Sequence, residues 1–111
     1  MRNISEIPDK WIIIQLPDNV YKVFATWVGG YLSGDSWKLN SGITNIEEDE
    51  NYYYIYGYSG SCYKCNKSYY GSTNYGYNII SSMKDKSQEK NINIKVLNED
   101  EFNNYFIQNH Q

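Results

Sequence analysis

Tyr52, Tyr54, Tyr56 and Tyr58 recur at every second position, and Ser59-Gly60-Ser61 and Cys62-Tyr63-Lys64-Cys65 follow at once. A period of two places side chains on one face of an extended strand. The four tyrosines therefore share a surface, with Tyr53, Ile55 and Gly57 on the other side. Tyrosine combines large contact area, low conformational-entropy cost and a hydroxyl that hydrogen-bonds. Such a face either packs under a helix as core or stays open to a protein partner or a stacked base. In the second case Ser59, Ser61 and one of Lys38, Lys64 and Lys67 are at hand for a phosphate or two.

The segment from Trp27 to Ile43 is the other concentration of unusual residues. Trp27, Tyr31 and Trp37 stand among four glycines, with Asp35 and Asn40 between short polar neighbours. Glycine lets a backbone approach a ligand closely, whereas the plain alternative is a wide, twisted hairpin with aromatic packing. Asp35, between Gly34 and Ser36, reads either as a turn-ordering side chain or as part of that site. The partner-binding candidates are therefore Trp27, Tyr31, Asp35, Trp37, Asn40, Tyr54, Tyr56, Tyr58, Ser59, Ser61 and Tyr63.

Other chemistries fit poorly. Cys62-x-x-Cys65 is a lone pair, and a structural zinc site needs four ligands. Residues three apart on a strand also face opposite sides, so joint ligation is opposed, although zinc shared across a dimer stays open. A thioredoxin-type motif belongs at a helix N-terminus, where the thiol pKa falls; this pair follows a turn in a strand. The sole histidine is His110, which rules against histidine triads. Glu47-Glu48-Asp49-Glu50 is contiguous and reads as a solvated turn at a sheet edge. Neither a phosphate-cradling glycine loop with lysine nor a dinucleotide fingerprint occurs. The expectation is a non-enzymatic protein without a cofactor or metal.

The elements that hold these residues follow from periodicity. Trp11-Ile12-Ile13-Ile14-Gln15-Leu16 is a buried strand. Pro17-Asp18-Asn19 turns the chain into a second strand, 20–28, as an antiparallel hairpin. There Val20, Lys22, Phe24, Thr26 and Val28 share one face, and Tyr21, Val23, Ala25 and Trp27 the other. Extended structure resumes at 36–40, bends at Ser41-Gly42 and runs on to Ile46. Strands follow at 51–58 and 62–66, and 69–76 reads as a polar loop. From Tyr77 the period becomes helical, capped by Thr73 or Asn74 and ending by Asn91. Ile92, Ile94 and Val96 alternate as a last strand. Asn98 with Glu99, Asp100 and Glu101 opens a closing helix striped by Phe102, Tyr105 and Phe106. The sum is α+β: an antiparallel sheet of five to six strands with two helices from the C-terminal half on one face.

Length and composition bound the rest. The chain has 111 residues, room for a single domain spanning 1–111. A net charge of −3 disfavours binding long nucleic acid through its phosphates. No run approaches the roughly 18–20 apolar residues of a membrane helix. Glu6, Pro8 and Asp9 interrupt any leader, which predicts a cytoplasmic protein with reduced thiols. The 13 tyrosines and 14 asparagines, against a single arginine, follow the pattern of AT-rich codons.

Trp27-x-Gly29-Gly30-Tyr31, Asp35-Ser36-Trp37-Lys38-Leu39-Asn40-Ser41-Gly42-Ile43 and Ser59-Gly60-Ser61-x-Tyr63 resemble small uncharacterised proteins of tailed phages and some bacteria, over about residues 10 to 100. The resemblance carries no activity or site. It implies an accessory protein of a mobile element, acting in the host cytoplasm. The leading expectation is a phage-type inhibitor that binds a host factor, such as one of antiviral defence, through an aromatic-rich surface, steered by the acidic run. A protein sequestering a small nucleotide signal is the alternative, and a structural or virion-associated component is a third. A homodimer through the exposed aromatic strand is compatible with each.

Overall fold

A computed structural model describes residues 2–30 and 34–109. It is α+β: seven strands in two antiparallel sheets, with two helices in the C-terminal half. The strands are β1 (Lys10–Leu16), β2 (Val20–Gly30), β3 (Gly34–Leu39), β4 (Ile43–Glu48), β5 (Tyr52–Gly57), β6 (Cys62–Asn66) and β7 (Lys95–Val96). The helices are α1 (Asn74–Gln88) and α2 (Glu99–Asn109). One sheet has the order β3-β2-β1-β7, the other β4-β5-β6. The expected single sheet is thus divided, and the division falls at Asn40-Ser41-Gly42, where the sequence suggested only a bend.

β1 explains its own composition. Trp11 and Ile13 face the second sheet, while Ile12 and Ile14 face α1. A strand covered on both sides reads as an unbroken apolar run. Trp11, Ile13, Val23 and Ala25 meet Ile46, Ile55, Tyr63 and Cys65 between the sheets, and Leu97 and Phe102 close that core. Ile12, Ile14 and Phe24 pack under Ile80 of α1, with Ile79 and Met83 beside it. Fully burying such side chains contributes roughly 1.5–3 kcal/mol each. The layers run α1, four-stranded sheet, three-stranded sheet. Phe102 of α2 sits edge-on to Trp11 at 5.2 Å and to Tyr53 at 5.1 Å.

Local chemistry sets the ends of the elements. Thr73 Oγ1 accepts from Gly76 N–H at 3.0 Å and starts α1 earlier than periodicity indicated. Asn98 and Glu101 form a reciprocal capping box: Glu101 N–H donates to Asn98 Oδ1 at 2.8 Å, and Asn98 N–H donates to Glu101 Oε1 at 3.0 Å. Only Lys95 and Val96 of the expected 92–96 strand pair with β1.

The segment before β1 straps the second sheet. Ser5 N–H donates to Cys62 O at 2.8 Å and Lys64 N–H to Glu6 O at 2.9 Å, a short parallel bridge to β6. Among the described residues no helix is long and apolar enough to cross a membrane.

Candidate functional site

The crossover from β3 to β4 is made by a side chain that imitates backbone. Asn40 N–H donates to Val23 O at 3.1 Å, as the next residue of β3 would. The return bond goes elsewhere: Val23 N–H donates to Asn40 Oδ1, not to its main-chain carbonyl, at 2.9 Å. Gly42 N–H reaches the same Oδ1 at 3.4 Å. The backbone carbonyl is thereby released and the chain can leave the first sheet. Gly42 has φ 119°, and the Tyr58 ring lies 2.9 Å from where a Cβ would stand. Only glycine meets both demands.

Asn40 is 3% exposed. Its Oδ1 is fixed by the Val23 N–H, which identifies the other atom as the nitrogen. That Nδ2 is buried and has no hydrogen-bond partner among the described residues. It lies 3.2 Å from the position a Cβ would take on Gly57, where Ser61 Oγ (3.1 Å) and Ser41 Oγ (2.6 Å) also converge. The missing side chain of Gly57 is what lets three polar groups meet there.

Asn40 and the two serines line a cleft of about 250 Å³ with Ser59, Ser5, Glu6, Lys38, Leu39 and Tyr63. The β5–β6 turn supplies Ser59 and Ser61, the crossover supplies Asn40 and Ser41, and the N-terminal strap supplies Ser5 and Glu6. The hydroxyls are chained: Ser59 N–H donates to Ser41 Oγ at 2.9 Å, Ser41 Oγ to Ser59 Oγ at 3.1 Å, and Ser59 Oγ to Ser61 Oγ at 3.3 Å. Lys38 Nζ donates to Glu6 Oε1 at 2.7 Å. That bond holds the ammonium pKa above its ordinary value. Burial pushes the Tyr63 hydroxyl up as well. The cleft therefore presents hydroxyls and one amide, and its two opposite charges are paired with each other.

The structure brings Asn40, Ser59, Ser61 and Tyr63 together and disperses the other candidates. Tyr54 and Tyr56 lie on the face of the three-stranded sheet opposite the core. Their hydroxyls donate to Asp49 Oδ2 at 2.6 Å and Glu47 Oε1 at 2.7 Å. The Glu47 bond pushes the Tyr56 pKa up to about 12, and the Tyr54 hydroxyl holds Asp49 below its ordinary value. Arg2 sits 4.0 Å over the Tyr54 ring and Lys64 lies 4.4 Å over Tyr52. Tyr58 departs from the ladder; it covers Gly42 and is 75% exposed.

Trp27 turns toward the inter-sheet core, and its Nε1–H donates to Ile7 O at 2.9 Å. Trp37 is on the α1 side of the first sheet, stacked on Phe24 at 5.4 Å. Asp35 orders its hairpin by accepting from Gly29 N–H at 2.9 Å. Tyr31 lies outside the described residues. The expected aromatic surface is thus spread over several faces. Of the three lysines considered for phosphate, only Lys38 reaches the cleft. Lys67 pairs with Glu48 at 2.6 Å, and Lys64 covers Tyr52.

Sequence reasoning missed Ser5 and Glu6, because a strap docking on β6 leaves no local pattern. Ser41 carried one signal: it adjoins the glycine at the bend. Cys62 and Cys65 are buried free thiols whose pKa values burial raises, which suppresses thiolate chemistry. No group of three or more metal-ligating side chains occurs among the described residues. Comparison of the chain with protein-family models, with curated proteins and with solved structures finds no match.

Proposed function

We propose that this chain is a non-enzymatic binding protein whose site is the serine-lined cleft and whose ligand is a small polar molecule. One observation carries the reading: Asn40, whose buried Nδ2 has no hydrogen-bond partner among the described residues, lines the same cleft as Ser41 and Ser61. A buried donor left unmet costs about 1–3 kcal/mol, and such groups concentrate where a ligand supplies the missing partner. The charged groups of the cleft support binding over catalysis. Lys38 and Glu6 engage each other, so neither stands ready as a base or nucleophile.

The test is thermal denaturation of the protein with the low-molecular-weight fraction of a host-cell extract, alongside Ser61→Phe, which fills the cleft. A ligand at 100 times its Kd stabilises by about 2.7 kcal/mol, several degrees in a domain of this size. A shift in the wild type that is absent in Ser61→Phe supports the reading. Equal shifts in both, or none in either, overturn it.

A second reading, a phage-type inhibitor docking on a host protein, is favoured by the outer tyrosine face. Tyr52, Tyr54 and Tyr56 are held rigid there by carboxylates and cations, beside the acidic Glu47–Glu50 run. Co-purification of a host protein with the wild type, but not with a folded Tyr56→Ser variant, supports it. Capture insensitive to that change counts against it.

A further inference from the structure

We infer that the cleft is selective for an uncharged, hydroxyl-rich ligand of about the size of one sugar ring or a short cyclic polyol. This rests on the reading of the cleft as a ligand site and goes on to name the class that site takes.

Charge is the first argument. Lys38 and Glu6 both line the cleft and neutralise one another at 2.7 Å. A phosphate or carboxylate approaching Lys38 meets the Glu6 carboxylate beside it. An ammonium approaching Glu6 meets Lys38. Either ion meets a like charge beside the opposite one, and a neutral ligand avoids that repulsion.

Hydrogen-bonding capacity is the second argument. Ser41, Ser59 and Ser61 each carry one donor and two acceptor positions, and their mutual chain leaves acceptor capacity open. Asn40 Nδ2 adds a donor with no partner among the described residues. The wall therefore both gives and takes hydrogen bonds. A phosphate is chiefly an acceptor and answers few of the open serine lone pairs. A hydroxyl does both: its hydrogen reaches a serine lone pair, and its oxygen accepts from Ser61 Oγ–H or, where the wall shifts to uncover it, from Asn40 Nδ2.

Size is the third argument. About 250 Å³ falls just below the 300–1,000 Å³ of sites for drug-sized ligands. That suits one ring better than a nucleotide with base, ribose and phosphate.

The experiment follows the side-chain amide resonances of Asn40 in ¹⁵N-labelled full-length protein. It is titrated separately with glucose, galactose, mannose and myo-inositol as neutral probes, inorganic phosphate and AMP as anions, and serine as a zwitterion. The expected result is a saturable shift of the Asn40 amide with at least one neutral probe and none with the ions. The affinity should hold between roughly 0.05 and 0.5 M salt, since screening has no ligand charge to act on. Asn40→Asp keeps the acceptor for Val23 N–H and removes the donor, and should weaken binding about tenfold. Ser61→Ala should weaken it by a similar factor, which keeps the test decisive if the first variant fails to fold. Tyr56→Phe, on the far face, should bind as the wild type does.

Tighter binding of phosphate, AMP or serine at the same resonances overturns the neutral class and leaves the ligand site standing. Neutral binding indifferent to both cleft variants places the ligand elsewhere and overturns the inference. No shift with any probe overturns it together with the class of ligand it names, and the extract experiment then decides alone whether the cleft is a site.

Discussion

The outer face of the three-stranded sheet and the cleft at the sheet crossover draw on the same short stretch of chain, and their hydrogen-bond accounts close differently. On the outer face the Tyr54 and Tyr56 hydroxyls end on carboxylates, Glu47 also meets Arg2 at 3.5 Å, and cations cover the Tyr54 and Tyr52 rings. At the cleft, a few residues away in sequence, a buried amide donor has no partner among the described residues. The difference shows that density of interesting residues is a poor guide to where hydrogen-bonding capacity stays open. The tyrosines dominate the sequence, yet they are largely occupied in holding their own sheet, its acidic hairpin and the N-terminal strap together. The less conspicuous serines and asparagine retain open hydrogen-bonding capacity.

That contrast can be broken experimentally, and the largest effect should come from Tyr54. Its side chain is 7% exposed although it faces away from the core, because Arg2 and its neighbours cover it. Tyr54→Ser should lower the thermal midpoint by several degrees. A midpoint unchanged within error would mean that the outer face is free surface and not a structural layer.

Asn40→Ala comes next. It strands the Val23 N–H in a buried setting and should cost about 1–3 kcal/mol in urea unfolding. It also tests whether the side-chain carbonyl really enables the crossover. A neutral outcome would show that the backbone turns without it.

Titration sharpens the comparison further. A tyrosine in the unfolded chain ionises near pH 10, whereas Tyr56 in the folded protein is pushed up to about 12 by its bond to Glu47. The raised value means that the folded state favours the protonated hydroxyl. Its stabilisation is complete below pH 10 and is lost as pH climbs toward 12. Asp49 has the opposite sign, since a lowered carboxylate stabilises above its ordinary pKa and loses that contribution as pH falls. The difference in tyrosinate absorbance between wild type and Tyr56→Phe should isolate a step near pH 12. A step near pH 10 would show that the Glu47 bond does not persist in solution.

The smallest expected effect is Arg2→Ala. An exposed cation over a ring with a surface carboxylate nearby contributes no more than about 1 kcal/mol. Binding in the cleft should not change, because Arg2 is not among the residues that line it. Lost binding in this variant would show that the two regions are coupled through residues 2–6.

Much of the framework was legible before any coordinates. The apolar run of β1, the alternation in β2 and β5, the bounds of β6, Thr73 as one of two cap candidates for α1 and the Asn98 cap with acids in the first turn of α2 all rest on interactions among near neighbours, and short-range patterns record them. The α+β class followed from their order. Half of the cleft was legible too, since Asn40, Ser59, Ser61 and Tyr63 were singled out, though for different reasons from the one that unites them.

What stayed hidden depended on partners distant in sequence. Nothing local says that Asn40 will bond Val23 through its side chain and send the chain to a second sheet; that requires β2 to be in place. Nothing local says that Glu6 will neutralise Lys38, 32 residues away, and so turn a presumed phosphate ligand into one half of a neutral pair. By itself the sequence determined which segments extend, which coil and where they are capped, because those choices are settled within a turn or a hairpin. The tertiary structure decided which polar groups are answered and which, Asn40 Nδ2 and Ser72 Oγ, find no partner among the described residues. Hydrogen-bond satisfaction belongs to the assembled neighbourhood, and in this protein that neighbourhood is built from the strap, the crossover and the β5–β6 turn.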